Sequence, residues 1–138
     1  ILGDSLLIIG GTTNQIRYGN ISKLELSTKV WSTITVQKAK AKYAYCGLSD
    51  FRQKNEQILF KGRFGFATFY DRQNIYIYGG SDEKPCGDML RLDLDNKEWV
   101  HHRPIGALPP EREFFGYASN ESSLYLFGGK TRKKLIDP

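Results

Sequence analysis

The stretch RFGFATFYDRQNIYIYGG, residues 63–80, aligns without a gap on REFFGYASNESSLYLFGG, residues 112–129. Each copy opens on an arginine, Arg63 or Arg112, runs through aromatic residues, breaks at a polar tetrapeptide (DRQN or NESS) and ends an apolar run on a glycine pair. Polar turn residues between two aromatic and β-branched runs read as strand, tight turn, strand. The second run, IYIY or LYLF, has no polar alternation. A strand with one wet face alternates apolar and polar, so a short continuous run bounded by glycine reads as a strand buried on both faces.

The same ending occurs a third time, in LLIIGG at 6–11. A further element follows two of the three glycine pairs. GNISKLELSTKVW (19–31) and GDMLRLDLDNKEW (87–99) align without a gap, each with two leucines around an acid, a turn at STK or DNK, and a closing tryptophan, Trp31 or Trp99. The alternation reads as a strand, and each tryptophan opens another. Joined in order, one unit is four strands over 49 residues, from Gly79 to Gly128.

This unit resembles the kelch repeat, whose period is near 50 residues. The residues that carry the resemblance are Gly79–Gly80, Leu92–Leu94, Trp99, Pro109–Pro110, Arg112 and Gly128–Gly129, with matching glycines at Gly10–Gly11. The resemblance implies an all-β fold: a β-propeller fragment of four-stranded antiparallel blades packed face to face, about two to three blades, one degenerate. One departure is plain. Many kelch repeats carry a histidine three residues after the arginine, and here Phe66 and Phe115 stand there.

The degenerate copy is YCGLSDFRQKNEQILFKG, residues 45–62, which lies on 63–80 with Gly47 over Gly65 and Gly62 over Gly80. Lys61 takes the first glycine slot, where positive φ would cost a non-glycine residue about 1–2 kcal/mol. The expected organisation of 1–138 is therefore strands 2–4 of one blade at 1–36, strands 1–2 of a worn blade at 43–62, a full blade at 63–102, and strands 1–2 of the next at 112–129. The third and fourth strands of the worn copy are missing, because Arg63 follows Gly62 at once. Blades cut short expose apolar faces and unpaired edges, so the chain is expected to be part of a larger propeller or to be completed by another chain. Trp31 and Trp99 are both expected to be buried near the glycine corners.

Composition agrees with a globular β protein: 40% hydrophobic and 25% charged residues, with eight Tyr, eight Phe and 14 Gly. A net charge of +5 favours acidic partners weakly and falls short of a nucleic-acid footprint. Two cysteines, Cys46 and Cys86, are too few for a disulfide framework and read as thiols of a reducing, cytoplasmic compartment. No apolar run reaches the ~18 residues of a membrane span. The opening ILGDSLLIIGG, which lacks a basic leader, reads as a strand.

Catalytic chemistry finds little to work with. His101 and His102 are adjacent on a strand and point to opposite faces, so they cannot share a metal. Copper radical oxidases with kelch-like propellers need a cysteine-linked tyrosine and separated histidines; Cys46 lies near Tyr43 and Tyr45, but no separated histidine pair exists. No nucleophile elbow, phosphate loop or zinc motif is present. No catalytic residue, cofactor or metal is expected. The sequons at Asn20 and Asn120 coincide with turns. The basic run KTRKK, 130–134, reads as a solvated loop.

Strands that alternate in direction bring the longer loops, 37–44, 103–111, 12–18, 81–86 and 130–138, to one face, and long loops gathered on one face mark a binding surface. The expected function is a non-catalytic protein–protein interaction module, binding a protein partner, possibly an acidic peptide, through that face. The alternative is a propeller enzyme with a site in the channel. Arg17, Tyr18 and Lys84 lie on these loops, and Arg63 and Arg112 at their inner edge. The two arginines could contact a partner, as the resemblance suggests, or fix the loops by bonding backbone carbonyls, which the residues favour.

Overall fold

The structure, a computed structural model, describes residues 3–36, 39–40, 57–58, 60, 62–71, 73–102, 104–120 and 122–131. Every regular element among them is a strand. The first sheet has the order β1-β2-β3, from β1 (Ser5–Ile9), β2 (Ile21–Glu25) and β3 (Trp31–Ile34), all antiparallel. A short pair, β4 (Ala39–Lys40) with β5 (Gln57–Ile58), follows. The four-stranded sheet is β6 (Ala67–Tyr70), β7 (Asn74–Tyr78), β8 (Met89–Asp93) and β9 (Glu98–His101), antiparallel in chain order. The last pair is β10 (Gly116–Ser119) with β11 (Leu124–Phe127).

The repeat is preserved in register. Leu24 faces Trp31 across β2 and β3, as Leu92 faces Trp99 across β8 and β9. The turns match as well. Lys29 and Lys97, each three residues after the second leucine, are both left-handed, at φ 59° and 54°. At the opposite hairpin, Asp71 Oδ1 accepts from the amides of Gln73 and Asn74, and Asn120 Oδ1 accepts in the same way from Ser122 and Ser123. These Asx turns explain why DRQN and NESS are interchangeable. Glycine takes a left-handed φ without the Cβ penalty, so Lys97→Gly is expected to stabilise the protein by up to about 1 kcal/mol. A lowered urea midpoint for that variant would show that the lysine side chain contributes more than its backbone costs.

The sheets stack, and the stacking sets the core. Ile75 and Ile77 of β7 face the first sheet, where Ile21, Leu7 and Ile9 meet them together with Leu90, Leu92 and Trp99. Tyr78, on the other face of β7, meets Phe115 and the partly buried Leu124 and Leu126 of the last pair. The IYIY run is therefore covered on both faces, which is why it lacks alternation.

One contact is made twice. Gly11 N–H donates to the Arg63 carbonyl at 2.9 Å, and Gly80 N–H donates to the Arg112 carbonyl at 2.9 Å. A Cβ on Gly10 would lie 2.6 Å from the Arg63 carbonyl oxygen and 3.1 Å from the Phe66 ring; one on Gly79 would lie 2.8 Å from the Arg112 oxygen and 3.0 Å from the Phe115 ring. The phenylalanines that replace the family's histidine thus press on the glycine of the preceding sheet. The same contacts join the first sheet to the second and the second to the third, so β1–β3 lie directly on β6–β9. The sequence reading put a worn half-blade, 43–62, between them. Its described part pairs as β5 with β4, and its end packs on loop 12–18, where a Cβ on Gly62 would lie 2.5 Å from the Arg17 carbonyl. The rest of the worn copy at 43–62, residues 43–56 with 59 and Lys61, falls outside the described residues.

The tryptophans differ. Trp99 is 2% exposed and stacks on Phe60, with centroids 4.9 Å apart. Trp31 is 53% exposed, which corrects the expectation that both are buried. The same position of the repeat faces a neighbouring sheet in one case and, among the described residues, none in the other.

Candidate functional site

The expected binding face is the end at which the glycine pairs and the arginines meet. Arg63 and Arg112 are 4% and 8% exposed. Arg63 Nη1 donates to the Gly79 carbonyl at 3.3 Å, and its two terminal nitrogens grip both oxygens of Asp88 at 2.8 and 3.2 Å. Its guanidinium lies 5.6 Å from the centre of the Phe60 ring. Arg112 Nη1 donates to the Gly128 carbonyl at 3.1 Å, and Nε to the Pro110 carbonyl at 3.1 Å. Each arginine therefore bonds the first glycine of its own unit's pair. Of the two roles open to them, both guanidinium groups are engaged in the structural one, fixing backbone carbonyls.

Tyr78 pins the connection between units. Its hydroxyl donates to the Pro109 carbonyl at 2.7 Å, and its ring packs edge-on against Phe115. Burial pushes the phenol up to about 12; Arg112 opposes the shift and Asp88 adds to it. The folded state thus holds this proton more tightly than the unfolded chain, whose tyrosine titrates near 10. The associated stability is fully present below pH ~10 and is lost as pH rises towards ~12, an order of 2–3 kcal/mol for a shift of this size. Tyr78→Phe is expected to flatten the fall in urea midpoint between those pH values; an unchanged slope would refute the assignment.

The loops of the face come together. Arg17, from loop 12–18, pairs with Glu83, from loop 81–86, at 3.3 Å. Tyr18 is 40% exposed and Lys84 is exposed beside them. Lys130 Nζ lies 4.0 Å from Glu113. The backbones of Phe64 and Ser81, and of Glu113 and Lys130, exchange paired hydrogen bonds, tying the start of each unit to the loop after its glycine pair. Sequence reasoning overlooked Phe64, Phe114 and Asp88. Phe64 and Phe114 sit at the inner edge of the face with ring centres 5.4 Å apart. Asp88 lies beneath it, its side chain 6% exposed.

Away from this face, Asp71 accepts the Tyr76 hydroxyl at 2.9 Å. Burial would raise its carboxyl, but the hydrogen bonds from Gln73, Tyr76 and Asn74 outweigh it and hold the group below the usual carboxylate range. His102 packs edge-on against Tyr76. A cleft of about 310 Å³ opens along β6, lined by Leu7, Ile9, Phe66, Phe69, Ile75 and the polar Thr68, Tyr70 and Tyr117. Among the described residues no group of three or more His, Cys, Asp or Glu is placed to hold a metal ion, and no helix is long and apolar enough to cross a membrane.

Stacked antiparallel sheets of one repeating register, turning at glycine pairs and opening in two of them on a buried arginine, Arg63 or Arg112, define a blade-repeat protein. The comparisons with known proteins agree on the repeat. No family model matches the chain. It is 25% identical over 137 residues to kelch domain-containing protein 10 of Rattus norvegicus, covering 94% of this chain and 29% of that protein. It is 29% identical over 85 residues to kelch repeat-containing protein 2 of Saccharomyces cerevisiae, covering 54% of this chain and 10% of that protein. It is 21% identical over 129 residues to the Rab9 effector protein with kelch motifs of Mus musculus, covering 92% and 29%. The chain spans less than a third of the length of these relatives. The fold is all-β, and the relatives it is similar to are kelch-repeat proteins.

Proposed function

We propose that the chain is a non-catalytic protein-interaction module that binds its partner through the face carrying loops 12–18, 81–86 and 103–111. The observation that carries this reading is the meeting of Arg17, Tyr18, Glu83 and Lys84 from two different units on one exposed surface. A surface assembled from successive repeats suits an extended protein segment better than a small molecule. Of the expected contact residues, Arg17, Tyr18 and Lys84 are exposed there, whereas Arg63 and Arg112 support the surface from beneath. One relative is named an effector of Rab9, which fits a role in binding other proteins. The cleft along β6 gives the enzyme alternative little support, since among the described residues neither an acid nor a histidine lines it.

The exposed outer faces belong to the same proposal. Ile8 and Trp31 on the first sheet, and Tyr125 and Phe127 on the last, are each at least half exposed. Apolar side chains in such numbers suit further blades, so we read the sheets as part of a larger propeller or one completed by another chain. The buried thiol of Cys86 accords with a reducing, cytoplasmic setting.

Photo-crosslinking in cells tests the face. A crosslinking residue at Tyr18 or Lys84 should give adducts with one defined protein, whereas the same residue at Asn96, on the opposite turns, should not. Equal adducts from both faces would overturn the reading.

A further inference from the structure

Among the described residues, the first unit has no counterpart to β6. The strands β7 and β11 hold the place of β1 in their own units, and each pairs with an arginine-led strand, β6 or β10. In contrast, β1 pairs with β2 alone. The cleft of about 310 Å³ opens where such a strand would run, between Leu7 and Ile9 of the first sheet and Phe66, Thr68 and Tyr70 of the second unit. One junction later, Tyr76 and Tyr78 take the place of Leu7 and Ile9, and Phe115 takes that of Phe66. There the space is filled by β6 itself. Ala67 is fully buried against Tyr78 and Phe115, and Phe69 stacks on Tyr76 with ring centres 4.6 Å apart.

The filling strand has a repeated chemistry. The position four residues after the arginine is small in both units, Ala67 and Gly116. Phe66 presses on Gly10 as Phe115 presses on Gly79, so a strand beside β1 needs a small residue at that position too. The edge of β1 offers such a strand main-chain hydrogen bonds, and Leu7 and Ile9 offer it apolar cover. This chain covers 29% of its rat relative, so a protein of that length has ample chain beyond the matched stretch to supply one. We infer that the cleft is the seat of an arginine-led strand of the same repeat, carried by the protein outside residues 1–138 and paired antiparallel to β1. Its arginine meets Asn20 where Arg63 meets Asp88, so a neutral amide stands in place of the buried carboxylate. The inference rests on the reading of the sheets as part of a larger propeller. It completes the first unit as a four-stranded blade and makes the cleft an internal junction rather than a ligand pocket.

A photo-crosslinking residue in place of Tyr70, which is 56% exposed at the cleft, tests this in the whole protein that carries the chain. The adduct should run at the mass of one molecule. Mass mapping should place it on a segment outside residues 1–138 that has a small residue four positions after an arginine. The same residue in place of Leu7, across the cleft, should reach the same segment. No adduct at either position, an adduct at the mass of two molecules or with another protein, or a mapped segment without that pattern would overturn the inference. Trp31, on the outer face of the first sheet, separates this from the reading it rests on. Adducts from Trp31 with none from Tyr70 or Leu7 keep the larger propeller and contradict the seat, and silence at all three contradicts both.

Discussion

Arg63→Met is expected to destabilise the protein by about 3–5 kcal/mol, read as a fall in urea midpoint with an unchanged slope. The cost comes less from the lost hydrogen bonds than from the carboxylate left behind. Asp88 holds both oxygens against the guanidinium, and its side chain is 6% exposed, so no water replaces the lost partner. Arg63→Lys keeps a charge but not the two-pronged grip and should recover only part of the loss. Arg63→Met combined with Asp88→Leu removes both charges and should cost less than Arg63→Met alone, because no unpaired ion remains. The comparison with Arg112 is informative. Its guanidinium bonds the carbonyls of Pro110 and Gly128, so Arg112→Met should cost nearer 1–3 kcal/mol. Equal and small effects at both arginines would mean that neither is a clamp, and would return both to the list of partner contacts.

Trp99→Ala should be of the same size, about 3–5 kcal/mol, because a buried ring leaves a cavity that its neighbours cannot close. Those neighbours come from two sheets and the segment before Arg63: Phe60 stacked on the indole, Leu92 opposite it in register, and Ile21 of the first sheet. Trp31→Ala, the matching change one unit earlier, should stay within about 0.5 kcal/mol in the chain as described, since the indole is 53% exposed. If a further blade covers the first sheet in the whole protein, Trp31→Ala would rise towards the Trp99 value. The pair of substitutions therefore also measures whether that face is covered.

The periodicity was legible in the residues because each unit repeats its turn chemistry and its strand endings. Asp71 and Asn120 build the same turn, Lys29 and Lys97 the same left-handed corner, and Gly10 and Gly79 the same close approach. These features are local, and local chemistry is what an ungapped alignment reports. What the alignment could not report depends on neighbours. Trp31 and Trp99 are identical in sequence position and opposite in exposure, because burial belongs to the adjoining sheet. Asp88 aligns with Asn20, a polar residue like itself, and nothing in that match marks it as the counter-ion of Arg63. The direct contact of the first sheet with the second depends on the bond from the Gly11 amide to the Arg63 carbonyl, which no alignment reports. Phe114 was readable in principle: a phenylalanine aligned with Gly65, at a turn that only glycine enters freely, is a visible discord in an otherwise consistent repeat.

The account rests on one repeated junction, in which a glycine-pair amide of one sheet bonds the arginine carbonyl of the next. Residue-resolved amide exchange measures it at both places. Gly11 and Gly80, each donating at 2.9 Å, should both be protected, and substituting Phe66 or Phe115 by alanine should loosen only the junction that it packs on. A protected Gly80 beside a Gly11 that exchanges like a free amide would contradict it, because the first sheet would then not be the neighbour of the second.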